Sequence, residues 1–156
     1  MERTWASRGS DRRFAFADMP LVYVTRKVQF NAAHRLHNPE KSDEWNRTTY
    51  GKCNNPNWHG HNYELDVTVA GEPDPETGYV LDLSDLKRIV GERVVDKLDH
   101  RNLNLDVDFL AGIMPSTENV AVAIWEQIVS AISEPAKLYE ITLRETPRNS
   151  VTYRGE

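Results

Sequence analysis

The sequence has little cysteine, no long apolar run and no excess of positive charge, and each shortage excludes a class of protein. A single cysteine among 156 residues cannot form an internal disulfide, which excludes a disulfide-stabilised secreted scaffold. No apolar run approaches the roughly 20 residues that a membrane-spanning helix needs. The formal net charge of -5 predicts no surface for nucleic acid or an anionic membrane. We therefore expect a cytoplasmic protein without nucleic-acid or membrane partners.

The length of the chain predicts one folded domain, large enough to bury a core of its own. We place this domain at residues 21–156. The preceding residues 1–20, MERTWASRGSDRRFAFADMP, are rich in arginine, contain acids and lack the apolar stretch of a signal peptide. We expect them to form a disordered leader.

Alternating apolar and polar residues predict two strands, at 21–34 and 59–72. The intervening residues 35–57 are polar and rich in asparagine, and we interpret them as a long loop whose length suggests a function. The turn PDPETG follows the second strand. After it, YVLDL predicts a short strand that continues as a hairpin.

Helical spacing of apolar residues predicts helices at 84–97 and 117–132. Asp82 or Ser84 can cap the first helix, and Pro115-Ser116 begins the second. Two closing strands, LYEITLRE and SVTYRG, flank a TPRN turn. The order ββααββ predicts an α+β fold, with an antiparallel sheet and two helices packed on one face.

Three histidines are predicted to meet at one end of this sheet. His59 and His61 are two residues apart in a strand and therefore share a face. His34 ends the first strand, so antiparallel pairing of the two strands brings it beside them. Three imidazoles with an open fourth position are typical of catalytic zinc, although other divalent ions would also suit them. The alternative is three unrelated histidines that are each satisfied by hydrogen bonds.

Cys53 lies six residues before His59 in the predicted loop. As a fourth metal ligand it would close the site and make it structural. Beside the cation but not bound to it, the thiol would have a lowered pKa and would act as a base or nucleophile. An inert loop cysteine is the third possibility, and spacing leaves all three open.

Asp99-His100 and Glu145 are further candidates. The pair follows the first helix, where it either ends the helix or forms a carboxylate-oriented imidazole that relays a proton. Glu145 shares strand parity with Tyr139 and Leu143, so a carboxylate stands where an apolar face should continue. A planar ligand with adjacent N–H donors would satisfy it in bidentate fashion. Alternatively it faces solvent or pairs with a neighbouring arginine, Arg144 or Arg148.

Six segments together carry a resemblance to a known family. They are FNAAHRL, YGKCNNPNWHGHNY, GEPDPETGYVLDLSDLK, LDHRNLNLDV, STENVAVAIWE and VTYRGE. From about residue 22 to the C-terminus the chain resembles the 6-pyruvoyl-tetrahydropterin synthases. The resemblance implies the T-fold, a homohexamer of two stacked trimers, and active sites between subunits. It also implies a lyase that converts 7,8-dihydroneopterin triphosphate to 6-pyruvoyl-tetrahydropterin in tetrahydrobiopterin biosynthesis, with loss of triphosphate.

The resemblance also assigns the metal and the base. It implies zinc on His34, His59 and His61, with Cys53 as general base beside the ion. The absence of a glycine-rich dinucleotide fingerprint agrees with a redox change that is internal to the substrate.

The remaining roles come from the same resemblance. It implies a proton relay at Asp99 and His100, a pterin anchor at Glu145, and a substrate pocket at Ser116 and Thr117. The family usually has two threonines at the last two positions, so Ser116 is a departure from its pattern.

Two alternatives remain open at this stage. The related 6-carboxy-tetrahydropterin synthases of queuosine biosynthesis generally carry a shorter CxxxHGH arrangement, and the longer CNNPNWHGH favours the pyruvoyl branch. The other alternative is a non-catalytic oligomer that binds pterin or zinc, with Cys53 as a structural ligand.

Overall fold

The computed structural model describes residues 20–156, which form a single five-stranded sheet in the order β3-β1-β2-β4-β5. The strands are β1 (Val22–His34), β2 (His59–Gly71), β3 (Arg101–Asn102), β4 (Lys137–Thr146) and β5 (Asn149–Tyr153). The helices are α1 (Asp43–Tyr50), α2 (Leu83–Val90), α3 (Asp96–Leu98) and α4 (Thr117–Ile128). The predicted leader lies outside the described residues except for Pro20, and its disorder stays a prediction.

The predicted α+β class is confirmed, and the order ββααββ holds for the major elements. It omits α1, α3 and the two-residue strand β3, which pairs with β1 in parallel. The predicted helix at 84–97 appears as α2, a π-helical turn at Gly91–Val95, and α3. Asp82, not Ser84, caps it by accepting a hydrogen bond from the Ser84 backbone. The α-helix predicted at 117–132 ends at Ile128 and continues as a 3-10 turn.

The central pair, β1 and β2, is antiparallel over the whole of both strands. Its register sets Val22 opposite Gly71 at one end and His34 opposite His59 at the other. This antiparallel pairing is the one on which the predicted convergence of the three histidines depended. The register agrees with the pattern, because a shift of one residue would move the apolar side chains of one strand to the opposite face.

The core lies between one face of the sheet and the helices. Leu65 and Leu143 from the sheet and Leu86 and Ile124 from the helices are among its fully buried members. The other face carries polar side chains. One of them is the Asp66 carboxylate, which accepts a 2.7 Å hydrogen bond from the Arg144 guanidinium on β4. One buried and one polar face explain why both central strands alternate so clearly.

The interpretation of residues 35–57 as a long loop is wrong, because α1 and a 3-10 turn at Gly51–Asn54 occupy much of it. Ser42 caps α1 by accepting from the Trp45 backbone. The helix has only one buried residue, and that residue is the polar Asn46. An apolar stripe, the usual signal for a helix, is therefore missing from its sequence.

Asn46 fastens α1 to the rest of the segment, and we expect Asn46→Ala to destabilise the protein. Its amide donates to the carbonyls of Asn38, Lys41 and Ser42, and its oxygen accepts from the Asn38 backbone. Removing these bonds from a buried position leaves polar groups unpaired, which costs about 1–3 kcal/mol. Urea unfolding measures the loss.

The matched control is Asn57→Ala, which removes an exposed asparagine from the same stretch. Its unfolding free energy should lie within about 0.5 kcal/mol of the wild-type value. Equal stability of the two variants would contradict the anchoring role of Asn46.

The strand predicted at YVLDL is also wrong. The preceding turn does form, with the Asp74 backbone donating to the Tyr79 carbonyl at 2.8 Å. The residues after it bend directly into α2, and Tyr79 is exposed while Val80 packs into the core. They have no strand beside them with which to pair, because both sides of β2 are already occupied by β1 and β4.

No helix in the described part of the chain is long and apolar enough to cross a membrane.

Candidate active site and metal centre

Three imidazoles meet at the end of the β1–β2 pair, on the core face of the sheet. His34 lies opposite His59 in the register, and His61 lies opposite Ala32. The ring centroids of His34 and His59 are 4.5 Å apart, and those of His59 and His61 are 5.0 Å apart. One potential ligand atom from each ring lies within 4.8 Å of the others.

The nitrogens of these rings fit a metal ion. His34 Nδ1 donates a 2.8 Å hydrogen bond to the Pro115 carbonyl, which leaves the lone pair of Nε2 free. Within residues 20–156, Nε2 of His34, both ring nitrogens of His59 and Nε2 of His61 are buried without hydrogen-bond partners. Buried polar atoms normally have partners, and three such rings at one point offer the donor set that a metal ion takes.

Electrostatics also favours metal binding at this point. Burial is the main cause that lowers the pKa of His34, His59 and His61, while the nearby Glu145 carboxylate acts in the opposite direction. The imidazoles are therefore neutral near pH 7, the form in which histidine binds metals. This donor set suits zinc and other divalent transition metals.

Glu145 faces this centre from β4. Its Oε1 lies 3.6 Å from Nε2 of His34 and 3.6 Å from Nε2 of His61. It also accepts a 2.9 Å hydrogen bond from the Thr117 hydroxyl, at the first residue of α4. The carboxylate is thus held between the metal centre and the helix N-terminus, where the helix dipole favours negative charge. Arg144 pairs with Asp66 instead.

The parity that was predicted for β4 fails at Tyr139. A β-bulge shifts the β2–β4 register, so that Thr68 pairs with Glu140 while the next residue, Val69, pairs with Leu138. Tyr139 is the extra residue on β4 and is 38% exposed, so it leaves the core face that was predicted for it. Leu143 keeps the predicted parity and is fully buried.

Cys53 lies in the 3-10 turn after α1 and shares a cavity of about 820 Å³ with His59 and His61. Its carbonyl accepts a 2.9 Å hydrogen bond from the Leu36 backbone, which ties the turn to the chain that leaves β1. Within the described chain, the cluster of potential metal ligands consists of the three histidines and does not include this sulfur. Burial and the Glu145 carboxylate both raise the pKa of the thiol.

Asp99 and His100 lie outside the cluster of three histidines and outside the cavity beside it. Asp99 accepts hydrogen bonds from the Asn31 backbone at 2.8 Å and from His100 Nδ1 at 2.9 Å. The His100 backbone N–H donates in turn to the Asn31 carbonyl. The backbone N–H and the carbonyl of Asn31 thus both bond to the Asp99–His100 pair. The pair therefore lies beside the edge of β1 that faces away from β2.

The geometry of the Asp99–His100 pair nevertheless suits proton transfer. The hydrogen bonds from Asn31 and His100 lower the pKa of Asp99, which keeps it a carboxylate. His100 has a left-handed backbone, φ 58°, and its side chain is 82% exposed. It does not line the 820 Å³ cavity within one chain.

The segment before α4 supports the site in ways that the sequence indicated only in part. Ser116 caps α4 by accepting from the Asn119 backbone, and Thr117 holds Glu145. The Pro115 carbonyl, which orients His34, carried no signal in the sequence. Tyr63 was also missed as a site residue, although it shares a face with His61. Its ring centroid lies 5.6 Å from that of His61, and within residues 20–156 its buried hydroxyl has no partner.

The fold and the site define the class: an α+β protein with three converging histidines that could hold a metal ion, beside a half-buried glutamate. A family model described as 6-pyruvoyl tetrahydropterin synthase matches residues 23–156. The chain belongs to this family.

Individual relatives are similar over most of the chain. A 6-pyruvoyl tetrahydrobiopterin synthase from Poecilia reticulata is 51% identical over 135 residues, which cover 86% of this chain and 90% of the relative. The Homo sapiens protein of the same name is 47% identical over 133 residues, covering 85% and 91%. The structure of Caenorhabditis elegans 6-pyruvoyl tetrahydropterin synthase matches with a TM-score of 0.83 at 47% identity, covering 88% of this chain and 98% of that chain. The predicted T-fold is thereby confirmed.

Proposed function

We propose that the protein is a zinc-dependent lyase that converts 7,8-dihydroneopterin triphosphate to 6-pyruvoyl-tetrahydropterin and triphosphate. The observation that carries the proposal is the set of unpartnered, buried imidazole nitrogens beside Glu145 and Cys53. The atoms of the substrate are divided between the pterin product and triphosphoric acid. The reaction therefore needs no external oxidant or reductant.

His34, His59 and His61 would hold the zinc, which would supply Lewis-acid polarisation of the oxygens of the substrate side chain. Glu145 anchors the pterin by accepting its adjacent N–H donors, as a carboxylate accepts from arginine. The Thr117 hydroxyl keeps this carboxylate in place. Ser116 acts indirectly, because its side chain caps the helix that presents Thr117.

Cys53 is the general base that takes a proton from the substrate side chain. In the protein alone, burial and Glu145 raise the pKa of its thiol, which favours the protonated form. A dication held by the three imidazoles would act in the opposite direction and would favour the thiolate. This compensation makes the reactivity of Cys53 dependent on an occupied metal centre.

Asp99 and His100 relay protons in the active site of a neighbouring subunit. Their hydrogen bonds orient the imidazole, while the high exposure of His100 leaves its far nitrogen available to another chain. We therefore propose active sites between subunits of a homohexamer built from two trimers. Light scattering should give the mass of six chains. The single domain at 21–156 and the cytoplasmic location likewise stay predictions.

The experiment that tests the proposed reaction is product identification. Purified protein loaded with zinc is incubated with 7,8-dihydroneopterin triphosphate, and the pterin is identified by mass spectrometry. We expect 6-pyruvoyl-tetrahydropterin and one equivalent of triphosphate. A carboxy product with acetaldehyde would move the assignment to 6-carboxy-tetrahydropterin synthase. Tight pterin binding without turnover would support a non-catalytic binding protein.

A further inference from the structure

The cavity beside the metal centre also carries a cluster of positive charge that the roles above leave unused. Its lining includes three cationic side chains and one carboxylate, in a chain whose formal net charge is -5. The four residues are Arg35, Arg47, Lys52 and Asp43. Positive charge is thus concentrated where the chain as a whole is acidic.

These three cations are not used in ion pairs of the fold. Within residues 20–156, none of them lies within 4 Å of a carboxylate oxygen, whereas Arg88 and Arg144 do. Arg35 donates from Nε to the Asn54 carbonyl at 3.0 Å, which positions its guanidinium without neutralising it. Unpaired cations that line one cavity hold their charge ready for an anionic ligand.

We propose that Arg35, Arg47 and Lys52 form a polyphosphate-binding site that holds the triphosphate of the substrate. This inference rests on the proposed function. Guanidinium groups bind phosphate in bidentate fashion, and a lysine ammonium adds a mobile point charge. The site shares its cavity with Cys53 and His61, so a triphosphate bound there lies next to the reacting side chain.

The same cations also assist departure of the triphosphate. A base removes a proton from the adjacent carbon, and the electron pair of that C–H bond forms a carbon–carbon double bond. The bond between the side-chain carbon and the bridging oxygen breaks, and its electron pair stays on that oxygen. Negative charge therefore grows on the leaving triphosphate. Cations positioned before the reaction stabilise such developing charge. We expect changes at this site to lower kcat as well as to raise KM.

The test measures binding of inorganic triphosphate to the zinc-loaded protein by calorimetry, which does not depend on turnover. Arg47→Gln and Lys52→Gln should each weaken this binding by about tenfold, the loss expected for a hydrogen bond to a charged group. Both side chains are exposed and unpaired within the described residues, so neither change threatens folding. Arg88→Gln removes the same charge from α2, outside the cavity, and should leave the affinity unchanged.

Two further measurements sharpen the result. Asp43→Asn removes the carboxylate from the lining and should strengthen triphosphate binding. Dihydroneopterin without phosphates should bind wild type and Arg47→Gln equally. Unchanged triphosphate affinity in both Arg47→Gln and Lys52→Gln would overturn the inference. Loss of affinity in these variants, in a protein that does not turn over the pterin, would support the anion site and refute the proposed reaction.

Discussion

His61→Ala is expected to remove bound zinc and to abolish turnover. With one of three imidazoles gone, the site retains too few donors to hold a dication against water. Because a ligand at 100 times its Kd stabilises the folded state by about 2.7 kcal/mol, the variant should also lose the zinc-dependent part of its stability. Metal analysis after gel filtration, with melting curves recorded with and without zinc, measures both effects.

His100→Ala is the matched control for this prediction. It removes an exposed imidazole that lies outside the metal cluster of its own chain. We expect it to keep one zinc per chain and the zinc-dependent rise in melting temperature, while losing activity as a proton relay. Stoichiometric zinc and an unchanged melting shift in His61→Ala would show that the three histidines are not the metal site.

Cys53→Ala is expected to lower kcat by about 10²- to 10⁴-fold, the usual contribution of a general base. Its zinc content should stay at one per chain, because the three imidazoles converge without the sulfur. The affinity for the pterin should also change little, because the proposed anchor of the ring is Glu145 and not Cys53. Single-turnover kinetics and metal analysis on the same preparation separate these effects.

The outcome for zinc decides the role of the sulfur. If Cys53→Ala loses its metal, the thiol is a fourth ligand and the site is structural. Retained zinc with wild-type kcat would show an inert loop cysteine. Cys53→Ser provides a graded comparison, because its hydroxyl fills the same space but is a far weaker acid than the thiol.

The cluster of three histidines could be predicted because it depends on a local rule. Side chains two apart in a strand share a face, so the spacing of His59 and His61 already orients both rings. His34 joins them once β1 and β2 pair antiparallel, and the alternation of both strands favours a register that keeps their apolar side chains on one face. The convergence of three imidazoles needed no knowledge of distant contacts beyond this one pairing.

Helix α1 could not be predicted in the same way. Its buried residue is Asn46, whose four hydrogen bonds replace the apolar stripe by which helices are detected. The strand that was predicted wrongly at 79–83 shows the reverse case, in which a local pattern is present but the element does not form. Its apolar residues are suited to a strand, but the sheet offers no edge beside them. Pairing partners are properties of the assembled fold and not of the segment.

The sequence by itself therefore determined the α+β class, the strands β1 and β2, and the shared face of His59 and His61, because each depends on periodicity. His34 joins them through one antiparallel pairing. Only the tertiary structure decided that Glu145 turns to the histidines and Thr117, and not to Arg144 or Arg148. It also decided that Asp99 and His100 lie beyond the edge of β1, and that α1 brings Arg47 into the cavity. These placements depend on contacts between residues far apart in the chain, on which local patterns carry no information.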